Sequence, residues 1–170
     1  PTPSTSSTGF QVQAANVGAS GDLVVTAMLS YASDPLVLGS AQGEQIAIQS
    51  RTAFVNGGAY AFLGRFELGA LLPIYAQHGQ TYDPQQMAGT PRISGTALGD
   101  LTLHARAALW RGTALGGDFA VALGGTLTLP TASADAFAGV AKPEGRVLAL
   151  AQLAPAALGG KLVAMVNAGA

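Results

Sequence analysis

Apolar and polar residues alternate along most of this chain, and the alternation is sharpest between residues 45 and 75. In QIAIQSRTAFVNGGAYAFLGRFELGALLPIY, Ile46, Ile48 and Phe54 share one parity against Gln45, Gln49 and Arg51. Tyr60, Phe62, Phe66, Leu68, Ala70 and Leu72 then share a face opposed by Arg65 and Glu67. A period of two marks a strand lying between two different environments. Asn56-Gly57-Gly58 predicts the tight turn between the two strands, because these residues tolerate positive φ. The second strand would run for about fifteen residues, against a usual five or six. A strand of that length with one wholly apolar face is ordinary in a membrane β-barrel, where tilted strands cross about 30 Å of hydrocarbon.

The same reading extends along the chain. Residues 10–18 alternate weakly, with Phe10, Val12 and Ala14 against Gln11 and Gln13, and predict a first strand. Residues 22–32 put Leu23, Val25, Ala27, Leu29 and Tyr31 on one face. A longer connection is expected over 33–44, around Asp34-Pro35, and a long loop over 76–96. The strand expected over 97–110 faces Leu101, Leu103, Ala105, Ala107 and Leu109 one way, and Asp100, Thr102, His104 and Arg106 the other. A short turn at 111–117 leads to a strand over 118–129, and a long loop over 130–145 to strands near 146–154 and 161–169. Pro155 ends the first of these, since proline donates no ladder hydrogen bond.

From residue 22 onward the expected connections alternate long and short, as in outer-membrane barrels with short periplasmic turns and long outer loops. Phe54, Tyr60, Trp110 and Phe119 lie near the short turns, and Tyr31 and Tyr75 near the long loops. This resembles two interfacial aromatic girdles, although Trp110 and Tyr75 fall on the polar parity. Counting residues 10–18 gives eight strands, an acceptable number for closure, but it exchanges the sides of the long and short connections. The expectation is a barrel that stops short of closing within these residues, or a sequence that is incomplete.

Composition narrows the classes. Charged residues make up 10% of the 170 residues, and the mean hydropathy is +0.36, where an average soluble domain carries about 25% charge. No apolar run is long enough for a spanning helix. A net charge of −1, with eight scattered Lys and Arg, argues against a nucleic-acid partner. The absence of Cys excludes disulfides and thiolate metal sites. The start at Pro1 implies a processed or trimmed N-terminus, and residues 1–9 read as a flexible polar leader before a barrel domain over 10–170.

Several segments together resemble the N-terminal barrel of OmpA-like outer-membrane proteins of the myxobacterial type. Tyr31-Ala32-Ser33-Asp34-Pro35-Leu36-Val37-Leu38 is similar to that family's DYAxDPLVL segment, and Gly99-Asp100-Leu101-Thr102-Leu103 to its GDLRLGAR strand. Leu127-Thr128-Leu129-Pro130-Thr131 with Asp135-Ala136-Phe137-Ala138-Gly139 resembles its LPTGS and AYASDG strand and loop. The likeness covers roughly residues 22–150; the first 21 residues depart from the family's usual opening. It implies an outer-membrane location and a structural or porin-like role, and supplies no catalytic residues. The calcium-binding repeats and peptidoglycan-binding domain that commonly follow this barrel are not in these residues, so cell-wall tethering is not carried over.

Arg51, Arg65, Glu67, Asp100, His104 and Arg106 are the candidate lumen-lining residues, either around a channel or as an ion-pair network plugging it. Tyr31, Phe54, Tyr60, Trp110 and Phe119 are the candidate membrane-interface aromatics. A hydrolase built on His104, Asp100 and a serine such as Ser94 has no nucleophile elbow behind it. His78 reads as a solvated loop residue. Asp83, Asp135 and Glu144 read as solvated loop charges that could contact a partner. Two His without Cys, and no phosphate-binding glycine pattern, predict no metal or cofactor. The expected protein is thus a non-enzymatic, all-β, antiparallel up-and-down transmembrane barrel. Its partners are outer-membrane lipid, and further copies of itself or other envelope proteins. The rival is a secreted or envelope β-sandwich that self-assembles through an open edge into an array or fibre.

Overall fold

The computed structural model describes residues 15–40, 43–79, 94–114, 117–133, 136, 138–155 and 164–169. Eight strands form one antiparallel sheet: β1 (Leu23–Ser40), β2 (Gly43–Phe62), β3 (Phe66–His78), β4 (Gly95–Leu98), β5 (Leu101–Ala114), β6 (Gly117–Leu129), β7 (Glu144–Pro155) and β8 (Ala164–Gly169). The main path is β1-β2-β3-β5-β6-β7-β8, an up-and-down meander, and β4 pairs with β3 beside β5. Among the described residues β1 and β8 do not pair with each other, so the sheet is not closed.

The period-two pattern becomes two faces with opposite chemistry. On β3, Phe66 and Leu68 are exposed while Glu67, between them, is 1% exposed. On β5, Leu103 and Leu109 are exposed while His104, Arg106 and Ala108 are buried. On β6, Leu123 and Leu127 face outward and Ala120 and Ala122 inward; on β7, Val147 faces outward and Leu150 inward. A soluble sheet buries its apolar side; here the apolar side is bare and the charged side is covered.

Among the described residues, two irregular segments do the covering. Residues 15–22 precede β1 and cross the inner face near the β2–β3 turn. Ala15 packs there on Ala120, Ala122 and Leu150, and Val17 on Ala61 and Ala108. The connection after β6 folds over the opposite end, where Ala136 and Ala138 pack on Ala97 with Tyr75 and Ala132 beside them. Among the described residues no helix is long and apolar enough to cross a membrane.

Several expected boundaries move. The β2–β3 turn is Leu63-Gly64-Arg65, with Phe62 opposite Phe66, and not Asn56-Gly57-Gly58, which lies inside β2. Leu63 and Gly64 supply the positive φ, 53° and 61°. Gly57 answers a different need: a Cβ there would lie 2.7 Å from the Ala70 carbonyl and 2.7 Å from the Leu71 side chain. The strand expected at 10–18 is not one over its described part, since residues 15–18 are irregular, and residues 10–14 lie outside the described residues. Asp34-Pro35 is not in a loop but within β1, where the register to β2 shifts between Ser33 and Leu36 and Asp34 takes a φ of 47°. Such an extra residue in the ladder is a β-bulge. Ile48, on Phe54's parity, is buried while Phe54 is exposed, and the β1 register shift between Ser33 and Leu36 falls opposite the stretch between them. The strand expected at 97–110 is broken at Gly99-Asp100 into β4 and β5, and β5 then runs on to Ala114 in place of the expected turn.

A second bulge resets β5. Ala108 pairs with Ala122 but Trp110 pairs with Val121, so Leu109 is the extra residue. Trp110, expected on the polar parity, therefore turns to the outer face beside Phe119, with ring centroids 5.4 Å apart. Arg111, next along, turns inward opposite Ala120.

Candidate functional site

The inner face carries a line of polar side chains that the strand registers bring together. Glu67 on β3 and Arg106 on β5 are direct cross-strand partners. Arg106 Nη2 donates to Glu67 Oε1 at 2.7 Å, with both side chains almost wholly buried. His104 is opposite Gly69 in the same ladder, and its Nε2 lies 3.6 Å from Glu67 Oε1. That distance exceeds a hydrogen bond, and both ring nitrogens are buried without a hydrogen-bond partner among the described residues. A carboxylate shielded from water is thus faced by a guanidinium and an imidazole, the pairing that makes a buried charge tolerable.

Toward the far end, Arg51 on β2 is paired in register with Gln77 on β3. Its Nε and Nη2 donate to Gln77 Oε1 at 3.1 and 2.9 Å, and its guanidinium lies 5.0 Å from the centre of the Tyr75 ring. Gln77 Nε2 in turn donates to the Ala136 carbonyl at 2.9 Å, tying the strand to the connection above it. Asp100, at the break between β4 and β5, accepts hydrogen bonds from the backbone N–H groups of Ala132 and Val140. Gly139 is pressed against that carboxylate, where a Cβ would overlap it and Ala132. Leu101 N–H donates to Thr131 Oγ1 at 2.8 Å. Residues 130–133, 136 and 138–143 are in this way laid down as a cap held by Gln77, Asp100 and the Leu101 amide.

At the turn end, residues 15–22 form a strap. Arg111 Nη2 donates to the Val17 carbonyl at 2.7 Å, and Ala15 N–H donates to Gln152 Oε1 at 3.2 Å. Gly21 N–H donates to the Ala61 carbonyl, and Ala61 N–H to the Asp22 carbonyl. Asp22 Oδ2 accepts from Ala19 N–H at 2.7 Å, and Ser20 Oγ accepts from Leu63 N–H at 3.2 Å.

Of the six residues expected on the inner face, Glu67, Asp100, His104 and Arg106 are buried there and Arg51 is half-buried. Arg65 is not on a strand face; it occupies the β2–β3 turn and is exposed, because that turn lies later than the Asn-Gly-Gly signal implied. Tyr31, Phe54, Tyr60 and Trp110 are exposed and Phe119 is partly buried beside Trp110. Phe54 pairs with Ile74 in mid-strand and is not near a turn. His78 and Glu144 are exposed, while Asp83 and Asp135 lie outside the described residues. Ser94 Oγ bonds both the amide and the carbonyl of Gly79, and Asp100 is occupied by the cap, so neither is arranged around His104. Among the described residues no three His, Cys, Asp or Glu are grouped to hold a metal.

Arg111, Gln77, Gln152 and the strap itself escaped the sequence reading. The one signal for Arg111 was the consecutive apolar pair Leu109-Trp110 in an alternating strand, which is what a bulge looks like in sequence. No family model, curated protein or solved structure matches the chain.

Proposed function

We propose that this chain is an outer-membrane β-barrel protein, or the greater part of one, with a structural role rather than an enzymatic one. One observation carries the reading. Strands of 13 and 14 residues keep Leu, Val and aromatic side chains bare on one face and bury Glu67, His104 and Arg106 on the other. That distribution suits strands with lipid outside and polar groups inside. The covering of the inner face by strap and cap supports a plugged barrel over a wide pore. The resemblance of residues 22–150 to OmpA-like N-terminal barrels supports the same location.

A second reading rests on the open sheet. Among the described residues no strand pairs with the outer edge of β1 or of β8; such edges would template pairing with another copy, and a self-assembling envelope protein would then cover the bare face with copies of itself. Heat modifiability separates the two. The barrel reading expects extraction only with detergent and a change in gel mobility on boiling. A protein soluble without detergent, with no mobility change, overturns that reading and leaves self-assembly.

A further inference from the structure

We infer that the outer face seats one acyl chain of an anionic phospholipid in a notch along β5, with Arg65 pairing its phosphate, an inference that rests on the barrel reading of that face.

Small residues build the notch on a face otherwise made of large ones. The ladders set Leu68, Ala105, Gly125 and Val147 in one row across β3, β5, β6 and β7, and Phe66, Ala107 and Leu123 in the next. Ala105, Ala107 and Gly125 make the floor, and the larger side chains stand on either side. The space between them is about 300 Å³, within the range of ligand pockets. Crowding does not dictate the small floor. A Cβ at Gly125 would meet only the Arg146 carbonyl at 3.5 Å, an ordinary contact. The sheet therefore has room for larger side chains here, and the notch is left for a flexible apolar chain to fill.

The notch ends at the β2–β3 turn, where Phe62 and Phe66 stack with ring centroids 5.5 Å apart. Arg65 precedes Phe66 in that turn. It is exposed, and among the described residues it enters no ion pair. Its carbonyl accepts from Ala108 N–H at 2.7 Å, which fixes the turn two residues short of Trp110 along β5. Trp110 packs with Phe119 just beyond. In a membrane, a tryptophan and an arginine at one level of an apolar face belong to the interface with water. A phosphate at that level meets the guanidinium while its acyl chain lies along the notch below. Charge complementarity selects the lipid: a basic residue at the surface favours a headgroup of net negative charge over a zwitterionic one.

The single tryptophan, Trp110, reports lipid at this level. The full chain is reconstituted in phosphatidylcholine vesicles that contain a minor, fixed fraction of lipid with brominated acyl chains, either phosphatidylglycerol or phosphatidylcholine. Brominated phosphatidylglycerol should quench Trp110 about fivefold more effectively, the preference that one basic residue confers at a lipid surface. Arg65→Gln should abolish that preference and Arg65→Lys should keep most of it. Ala107→Leu fills the notch, leaves the outer face apolar, and should bring the two lipids close to parity with Arg65 intact. Undiminished preference in Arg65→Gln or in Ala107→Leu overturns the inference, as does equal quenching by the two lipids in the wild-type chain, which leaves the barrel reading standing. Quenching by neither brominated lipid, with free access of aqueous acrylamide, sinks the barrel reading and the inference together.

Discussion

The imidazole of His104 occupies the space that a side chain at position 69 would need. The two residues face each other across the β3–β5 ladder, and a Cβ built on Gly69 would lie 2.0 Å from Cε1 of the His104 ring, overlapping it. This glycine is present for close approach and not for its backbone freedom. It lets the buried His104 ring pack over position 69, with Nε2 3.6 Å from Glu67 Oε1.

Gly69→Ala should therefore displace His104 and disturb the Glu67–Arg106 pair next to it. Overpacking of this kind costs about 1–3 kcal/mol. Urea unfolding of the detergent-solubilised protein should show the loss, and Gly69→Ala with His104→Ala should recover only the part due to the ring, because the Gly58 carbonyl also lies 2.6 Å from that Cβ. No loss in the single variant would mean that His104 has another place to go.

Glu67 and Arg106 should behave as a unit. Removing either charge alone, by Glu67→Leu or Arg106→Met, takes from its buried partner the opposite charge 2.7 Å away and should cost about 3–5 kcal/mol. The double variant should cost less than the sum by about 0.5–3 kcal/mol. Additive losses in unfolding measurements would show that the 2.7 Å contact carries no coupling.

Asp100 should control the cap alone. Asp100→Ala leaves the partly buried Ala132 and Val140 amides without their acceptor, a cost of about 1–3 kcal/mol for the pair. Hydrogen exchange at these amides should quicken while that of the β6–β7 ladder stays slow. Uniform acceleration across the sheet would contradict a local anchor.

The β2–β3 turn stores strain that can be released. Leu63 holds a φ of 53° and its side chain is largely exposed, so the left-handed conformation is not offset by packing. Leu63→Gly should stabilise the protein by about 1 kcal/mol, in line with the cost of that conformation for a residue with a Cβ. A raised unfolding midpoint checks it; a lowered one would mean that Leu63 makes a contact on the outer face that outweighs the strain.

Trp110 is the chain's only tryptophan and should report the environment of the outer face. With the protein in vesicles, bromine-labelled acyl chains should quench its fluorescence and aqueous acrylamide should not. The opposite result would place that face in water.

The sequence by itself determined which residues share a face. Phe66, Leu68, Leu103, Leu123 and Leu127 against Glu67, His104 and Arg106 follow from the pleat, which turns successive side chains to opposite sides whatever the strand's neighbours. The all-β meander was equally readable, because each strand apart from the short β4 pairs with the next one along the path. Turn position, bulges and coverage were not readable, because each depends on a partner distant along the chain. Asn56-Gly57-Gly58 has the composition of a turn, yet Gly57 is there because Leu71 and the Ala70 carbonyl crowd it. Arg111 belongs to the inner face only because Leu109 has no partner of its own on β6. The weak alternation of residues 10–18 predicted a strand, whereas its described end is held as a strap by side chains such as Gln152, 137 positions away from Ala15. Local alternation sets the two faces; only the folded sheet decides what lies against each of them, since that contact energy exists only once distant segments meet.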